Sequence, residues 1–378
     1  MKRAQAFALA GTAVFGLCLV YALLAGCSPS PAARGNSSDD ASLKNADLVV
    51  YSSHPEELAR VVVTEFRDRS GLKVHVIQAG TGEMLARLRR EAVAAGLASG
   101  TAASGPAKSP CDVVWGGGAE SLAANADLFE PYVSSEDAAI PAAYKAPDHA
   151  WSGFTVLPMA IGYNVRLLAP GRAPHSWKDL LEPRFKGAIA YADPSVSASS
   201  YTILRTLGSA LSAGGRMTRA EAEAAFVRNL DGKLLPESST VFPSVASGEF
   251  LVGLYHDEGA RELLIAGSDL RIVYPADGTS AVPDGVALVR NAAHPAAARK
   301  FIDFVLGPKV AAVTATRFHR RSARADCPPP PGQLPLARIR LVDYDIGVAA
   351  AEKTDTLARF RQLRSAASEP DSAAKPGE

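Results

Sequence analysis

Apolar residues along this chain fall into two alternating rhythms: short continuous runs, and longer stretches where they recur at helical spacing. Leu48-Val49-Val50-Tyr51 reads as a strand. It runs into Ser52-Ser53-His54-Pro55, where Pro55 suits the first position of a helix, and Leu58, Val61, Val62 and Phe66 follow on one face until Gly71. Val74-His75-Val76-Ile77 is the next strand, and Gly80-Thr81-Gly82 leads into a helix carrying Leu85, Leu88 and Ala92. Asp112-Val113-Val114-Trp115 is the third, followed by Gly116-Gly117-Gly118 and a helix from Ala119. Strand, loop and helix repeated in this order predict an α/β sheet with parallel strands.

Further on, residues 154–164 form one long extended run, and 187–192 a strand. Asp193-Pro194-Ser195 turns into a helix through Ser197, Ser199, Ser200 and Tyr201, and another helix covers 219–229. Ser238-Ser239-Thr240 precedes a short helix near Val245. Residues 250–255 are a strand ending at His256-Asp257, with further strands at 270–274 and 285–289. Residues 295–306 are an amphipathic helix with Ala298, Phe301, Ile302 and Val305 on one side. Residues 97–110 are a low-complexity insert, Pro328 to Pro331 with Gly332 a rigid surface spacer, and 366–378 a frayed tail.

The N-terminus changes the compartment. Lys2 and Arg3 precede an apolar, small-residue run to Leu24, closed by Leu24-Ala25-Gly26-Cys27. This resembles a bacterial lipoprotein signal peptide over 1–26, which implies lipidation of Cys27; an uncleaved membrane anchor is the alternative. Residues 27–46, rich in Ser, Pro, Ala, Gly and Asp, read as a flexible tether. Either way the remaining chain sits outside the cytoplasm. Cys18 is lost with the signal, so Cys111 and Cys327 are left as a disulfide or as two free thiols.

Composition narrows the classes. The chain has 378 residues, enough for two domains, with 40 Lys and Arg against 39 Asp and Glu. A formal charge of +1 gives no basic field for nucleic acid. At 47% hydrophobic and 7% aromatic the chain buries a sizeable core, and its single long apolar run excludes a multi-span membrane protein. No Gly-x-Ser-x-Gly elbow, His-Glu-x-x-His or Walker A loop is present, so a binding protein is expected rather than an enzyme.

The candidate chemistry lies where strands end. Ser52-Ser53-His54, Gly80-Thr81-Gly82, Gly116-Gly117-Gly118, Ser195 to Ser200 and Ser238-Ser239-Thr240 all follow strands or open helices. Ligands of open α/β sheets bind beyond the carboxyl ends of strands, and helix N-termini attract anions. Ser and Thr are also ordinary N-caps, and Glu56 and Glu57 partly neutralise the first of these ends.

The chain resembles the substrate-binding lipoproteins of ABC importers, in the branch that holds ferric-iron, 2-aminoethylphosphonate and hexose-phosphate binders. The likeness rests on Val49-Val50-Tyr51-Ser52-Ser53, Asp112-Val113-Val114-Trp115-Gly116-Gly117, Gly162-Tyr163-Asn164, Ser176-Trp177-Lys178-Asp179-Leu180, Lys186-Gly187, Asp193-Pro194, Val245-Ala246-Ser247-Gly248-Glu249 and residues 296–304, in that order. It implies a two-lobed type-II periplasmic-binding fold whose hinge crossover strands lie near 154–164 and 274–285. Lobe one would hold 47–155 plus 285–365 with the C-terminal helices, and lobe two 160–276.

The resemblance also frames the cargo. Iron binders of this branch carry an adjacent Tyr-Tyr pair after the Val-x-x-Gly-Glu segment, where this chain has Gly253-Leu254-Tyr255-His256-Asp257-Glu258. His256-Asp257 is instead similar to the pair that meets sugar hydroxyls in hexose-phosphate binders; a surface turn is the plainer reading. The expected cleft groups are Ser52, Ser53, His54, Thr81 and Gly117 from lobe one, and Ser195, Ser197, Ser199, Ser200, His256 and Asp257 from lobe two. They would close on a small anionic solute, a phosphorylated sugar or related organophosphate, in a monomer serving permease and ATPase subunits. No cofactor is expected. The alternatives are a ferric site of Tyr201, Tyr255, His256 and Asp257, with Tyr51 as a further candidate, and a surface lipoprotein without a transport role. Trp115 reads as core or as a stacking face. His319-Arg320-Arg321 and Arg324 read as a solvated edge or transporter contact, and Asp343 and Asp345 as packing or surface.

Overall fold

The computed structural model describes residues 45–95, 108–215 and 217–368. The signal segment, Cys27, most of the tether, most of the 97–110 insert and the last ten residues lie outside the described residues. The strands are β1 (Leu48–Ser52), β2 (Val74–Gln78), β3 (Val113–Gly118), β4 (Phe129–Glu130), β5 (Ser152–Asn164), β6 (Ile189–Ala190), β7 (Val252–His256), β8 (Leu270–Val273), β9 (Ala281–Val289) and β10 (Arg321–Ser322). The helices are α1 (Glu56–Ser70), α2 (Thr81–Ala94), α3 (Ala119–Ala123), α4 (Ala198–Ser212), α5 (Arg219–Leu230), α6 (Val241–Ser247), α7 (Arg261–Ile265), α8 (Pro295–Leu306), α9 (Pro308–Arg317), α10 (Ile346–Ala351) and α11 (Lys353–Ser368).

α1 forms because Leu58, Val62 and Phe66 recur at four-residue intervals and bury one face with Ala59 and Val63; Val61 is only half-buried. It stops at Gly71, whose φ of 71° is left-handed. α8 buries Ala298, Phe301, Ile302 and Val305, the stripe read from sequence.

The strand order is β2-β1-β3-β9-β5-β7-β6, with β4 on β9 and β8 and β10 on β5. β2 and β3 flank β1 in parallel, while β9 runs antiparallel to β3. β5 is the hinge strand. Its first half, Ser152 to Pro158, pairs antiparallel with β9, and its second half, Met159 to Asn164, pairs with β7 and β8. Pro158, which has no N–H to donate, falls at the handover between partners. All thirteen β5 residues are buried because both halves of the molecule pack on it.

Two cores result. In the first half, Val50, Phe66, Trp115 and Phe301 fill one face of the sheet and Tyr51, Leu85, Phe129 and Trp151 the other. In the second, Trp177, Phe185, Tyr191 and Phe226 fill one face and Phe242, Val245 and Leu270 the other. Burying each such aromatic or aliphatic side chain contributes about 1.5–3 kcal/mol. Trp115 is core, edge-on to His54, Phe154 and Phe301 with centroids 4.6–5.6 Å away. Cys111 and Cys327 are both free thiols.

The C-terminal segment corrects one expectation. Tyr344 and Ile346 pack on the first half, but Phe360 of α11 inserts into the second. Residues 285–365 therefore do not all belong with the first lobe, and the expected frayed tail is still helical to Ser368.

Candidate functional site

Three loops of the first half close on one another. Ser53 N–H donates to the Trp115 carbonyl, and Thr81 Oγ1 donates to Ser53 Oγ at 3.2 Å. Gly116 and Gly117 hold φ values of 114° and 89°. A Cβ at Gly116 would sit 2.5 Å from Ser53 Oγ, and one at Gly117 2.9 Å from Thr81 Cγ2, so only glycine lets these loops meet. In the second half Ser197 caps α4: its Oγ accepts from Ser200 N–H and lies 3.0 Å from Ser199 Oγ. The α2 N-terminus, opened by Gly80, has no side-chain cap.

These groups line one cleft of about 620 Å³, within the range of small-molecule sites. The first half supplies Ser52, Ser53, His54, Thr81 and Gly117, and the second Ser197, Ser199, Thr202, Ser238, Ser239, Tyr255 and His256. Leu157 and Met159 of β5 and Val282 of β9 give an apolar floor. The halves already touch beside it, where Gly82 N–H donates to the Val196 carbonyl at 3.4 Å.

One end of the floor is charged. Arg320, 3% exposed, places its guanidinium 2.9 Å from His54 Nδ1, 3.3 Å from Asp284 Oδ2 and 3.6 Å from Glu258 Oε2. Thr155 donates to Asp284 Oδ1 through N–H and Oγ1 at 2.9 and 2.6 Å. Burial, reinforced by Arg320, holds the His54 and His256 imidazoles well below the usual histidine range, so both are neutral. Burial raises Asp284 despite Arg320, and pushes Glu258 up to about 7.

Several expected residues are elsewhere. Ser195 Oγ turns back to Asp193 at 2.7 Å, and Ser200 is buried in the first turn of α4 with its Oγ unpartnered; neither lines the cleft. Asp257 is 3% exposed, accepting from Arg321 at 2.9 Å and Tyr274 at 2.7 Å. The chain turns at the end of β7, so His256 faces the cleft and its neighbour does not.

The ferric set does not assemble. Tyr201 OH donates to the Ala349 carbonyl, and Tyr51 OH to Glu91 at 2.8 Å. Of the four residues proposed for iron, only Tyr255 and His256 reach the cleft, and burial pushes the Tyr255 phenol up to about 12, away from phenolate. Among the described residues no group of His, Cys, Asp and Glu is placed to hold a metal ion.

The basic segment is also corrected. Arg320, Arg321 and Arg324 are buried in ion pairs rather than forming a solvated edge; Arg324 bonds Asp326, Glu136 and the Leu306 carbonyl. Sequence reasoning missed Arg320, Asp284, Thr202 and the contribution of Glu258. Nothing in local spacing marks Arg320, since its partners come from residues 54, 258 and 284. Asp345 caps α10, accepting from Val348 N–H, and Asp343 is exposed.

Residues 108–345 match the family model described as bacterial extracellular solute-binding protein. The chain belongs to this family. This solute-binding protein is 25% identical over 322 residues to iron uptake protein A1 of Synechocystis sp., a match covering 81% of this chain and 83% of that one. Its fold is similar to the periplasmic binding protein AfuA from Actinobacillus pleuropneumoniae with fructose-6-phosphate bound: TM-score 0.73, 20% identity, 84% of this chain and 98% of that one. It is also similar to iron-bound HitA from Pseudomonas aeruginosa, at TM-score 0.70 and 18% identity with the same coverage. These likenesses show the type-II periplasmic-binding fold. The solute-binding protein is thus the substrate-binding component of an ABC importer.

Proposed function

We propose that the captured solute is a small organic anion, a phosphorylated sugar or related phosphate ester. The observation that carries this reading is the convergence of α2 and α4, helices of fourteen and fifteen residues, on one cleft from opposite halves. Each brings the partial positive charge of its N-terminus, and Ser53, Thr81, Ser197 and Ser199 add hydroxyl donors. Such a cradle binds a phosphate or carboxylate without a metal. Glu83 and Glu237 lie at the exposed rim, and Asp284 is neutralised by Arg320. The apolar floor and the volume leave room for a carbon skeleton beside the anion.

Titration calorimetry with fructose 6-phosphate, fructose, inorganic phosphate, 2-aminoethylphosphonate and ferric citrate tests this. The phosphate ester should bind one to one, and unphosphorylated fructose at least about 100-fold more weakly, the equivalent of about 2.7 kcal/mol. Tight binding of ferric citrate with no heat from any phosphorus compound would overturn it.

A further inference from the structure

The C-terminal segment follows the hinge and then reaches both halves. Thr279 N–H donates to the Arg340 carbonyl at 2.9 Å and Val342 N–H to the Thr279 carbonyl at 2.8 Å, so residues 340–342 run beside the 274–285 crossing. Beyond them, α11 is anchored on the second half. Phe360 is buried among Tyr191 and Phe226, Arg359 donates to Glu223 at 2.8 Å, and Glu352 accepts from Arg205 and Arg219 at 2.6 and 3.0 Å. The end of α10 is held there too, where the Ala349 carbonyl accepts from Tyr201 OH. The same segment meets the first half at α3, where Lys353 Nζ donates to Ser121 Oγ at 2.6 Å.

This meeting point is the seam behind the cleft. Glu120, next to Ser121, is fully buried; Thr202 of α4 donates to it from the second half and Tyr344 from the C-terminal segment, while its Oε2 has no hydrogen-bond partner. A Cβ at Gly118 would sit 2.9 Å from that oxygen and 3.6 Å from Ala198 Cβ, so the carboxylate lies where the halves abut. Gly118, Ala198 and Thr202 line the cleft, and Glu120, Ser121 and Lys353 stand behind them. The Lys353 ammonium also attracts the Glu120 charge. A buried carboxylate with one bare oxygen is tolerated only while such donors are in place. Parting the halves separates Lys353 from Ser121 and Thr202 from Glu120, and water then solvates what they leave. These contacts therefore stabilise the closed arrangement alone.

We propose that α11 and α3 form a latch behind the cleft: Lys353, riding with the second half, grips Ser121 beside Glu120, and this grip sets how long cargo stays without touching it. The proposal rests on the reading of the cleft as the capture site and goes beyond it, since it assigns affinity to residues outside the cleft. A contact made only in the closed arrangement acts on release. Cargo enters the open form, where the latch is already apart, and leaves only after the latch has parted again. Lys353 is a positioning residue in this scheme, acting on cargo through the closure of the two halves.

The test compares full-length processed protein with Lys353→Met, Ser121→Ala and the double variant. Stopped-flow kinetics with fructose 6-phosphate read release, and small-angle X-ray scattering without any solute reads opening. Lys353→Met should release fructose 6-phosphate at least about tenfold faster than the parent, with association unchanged within about twofold. Ser121→Ala should release it about threefold faster, and the double variant no faster than Lys353→Met within about twofold, because both changes break one bond. Without solute, the radius of gyration of Lys353→Met should exceed that of the parent. Release rates and radius equal to the parent's in both single variants overturn the proposal, as do effects that multiply in the double variant. Ser121→Ala removes one hydroxyl only and decides the question if Lys353→Met does not fold. A larger radius in Lys353→Met with no fructose 6-phosphate bound by the parent would leave the latch standing and remove the organophosphate reading. Fructose 6-phosphate bound alike by all four proteins, at one radius, would do the reverse.

Discussion

His256 and Asp257 are chain neighbours with opposite surroundings. His256 faces the cleft, neutral through burial; Asp257 faces inward, where Arg321 and Tyr274 take its carboxylate. In sequence the pair reads as one recognition unit. In the fold, Arg321 from a distant segment has claimed half of it. Asp257→Asn should therefore act on stability and not on recognition. Arg321 is 4% exposed and would be left as a buried charge without its counter-charge, a loss of about 3–5 kcal/mol. Urea unfolding should show that loss, while the affinity of the folded variant for fructose 6-phosphate stays within about threefold of the parent. A large affinity loss at unchanged stability would return Asp257 to the cleft.

Whole elements were easier to read than single side chains. The run Leu48-Val49-Val50-Tyr51 and the stripe of α8 are local signals, set by spacing, and each stands where the pattern placed it, whereas Gly116 to Gly118, read as following the third strand, form the end of β3. The handover in β5 is half-legible: its length shows in sequence, but its change of partner at Pro158 depends on β7 and β9, which lie far along the chain. Arg320 was illegible for the same reason. Loop geometry adds a prediction here. Gly82 opens the first turn of α2 against the second half, and a Cβ on it would fall well inside van der Waals contact with the Ser195 carbonyl oxygen. Backbone cannot swing away as a side-chain tip does, so Gly82→Ala must push the halves apart. Fructose 6-phosphate affinity should fall about tenfold, or about 1.4 kcal/mol, with the unfolding midpoint nearly unchanged. Unaltered affinity would mean that the contact between Gly82 and Val196 plays no part in closure.

At the scale of the molecule, the C-terminal segment ties together what β5 lets swing. Tyr344 OH donates to Glu120 at 3.2 Å and Lys353 Nζ to Ser121 Oγ at 2.6 Å, both in α3 of the first half. The same segment holds the second half: the Lys353 ammonium lies 4.1 Å from the Tyr201 ring centroid, and Glu352 accepts from Arg205 at 2.6 Å. Thr202 Oγ1 also donates across to Glu120. Lys353 is the member that titrates in an accessible range, because burial lowers it from the ordinary lysine value to about 8. The folded state binds that proton less well than the unfolded chain. The associated stability is therefore present above the unfolded value, near 10.5, and lost as pH falls through about 8. Lys353→Met removes the titrating group while keeping most of the volume. In urea unfolding at pH 7, 8, 9 and 10, the parent should gain on the variant by about 1–2 kcal/mol across the upper part of that range, less than the full linkage value because the ammonium is only partly shielded from water. A parent-minus-variant difference that is flat from pH 7 to 10, or that falls with rising pH, would show that this lysine is solvated and that the C-terminal segment does not clamp the two halves through it.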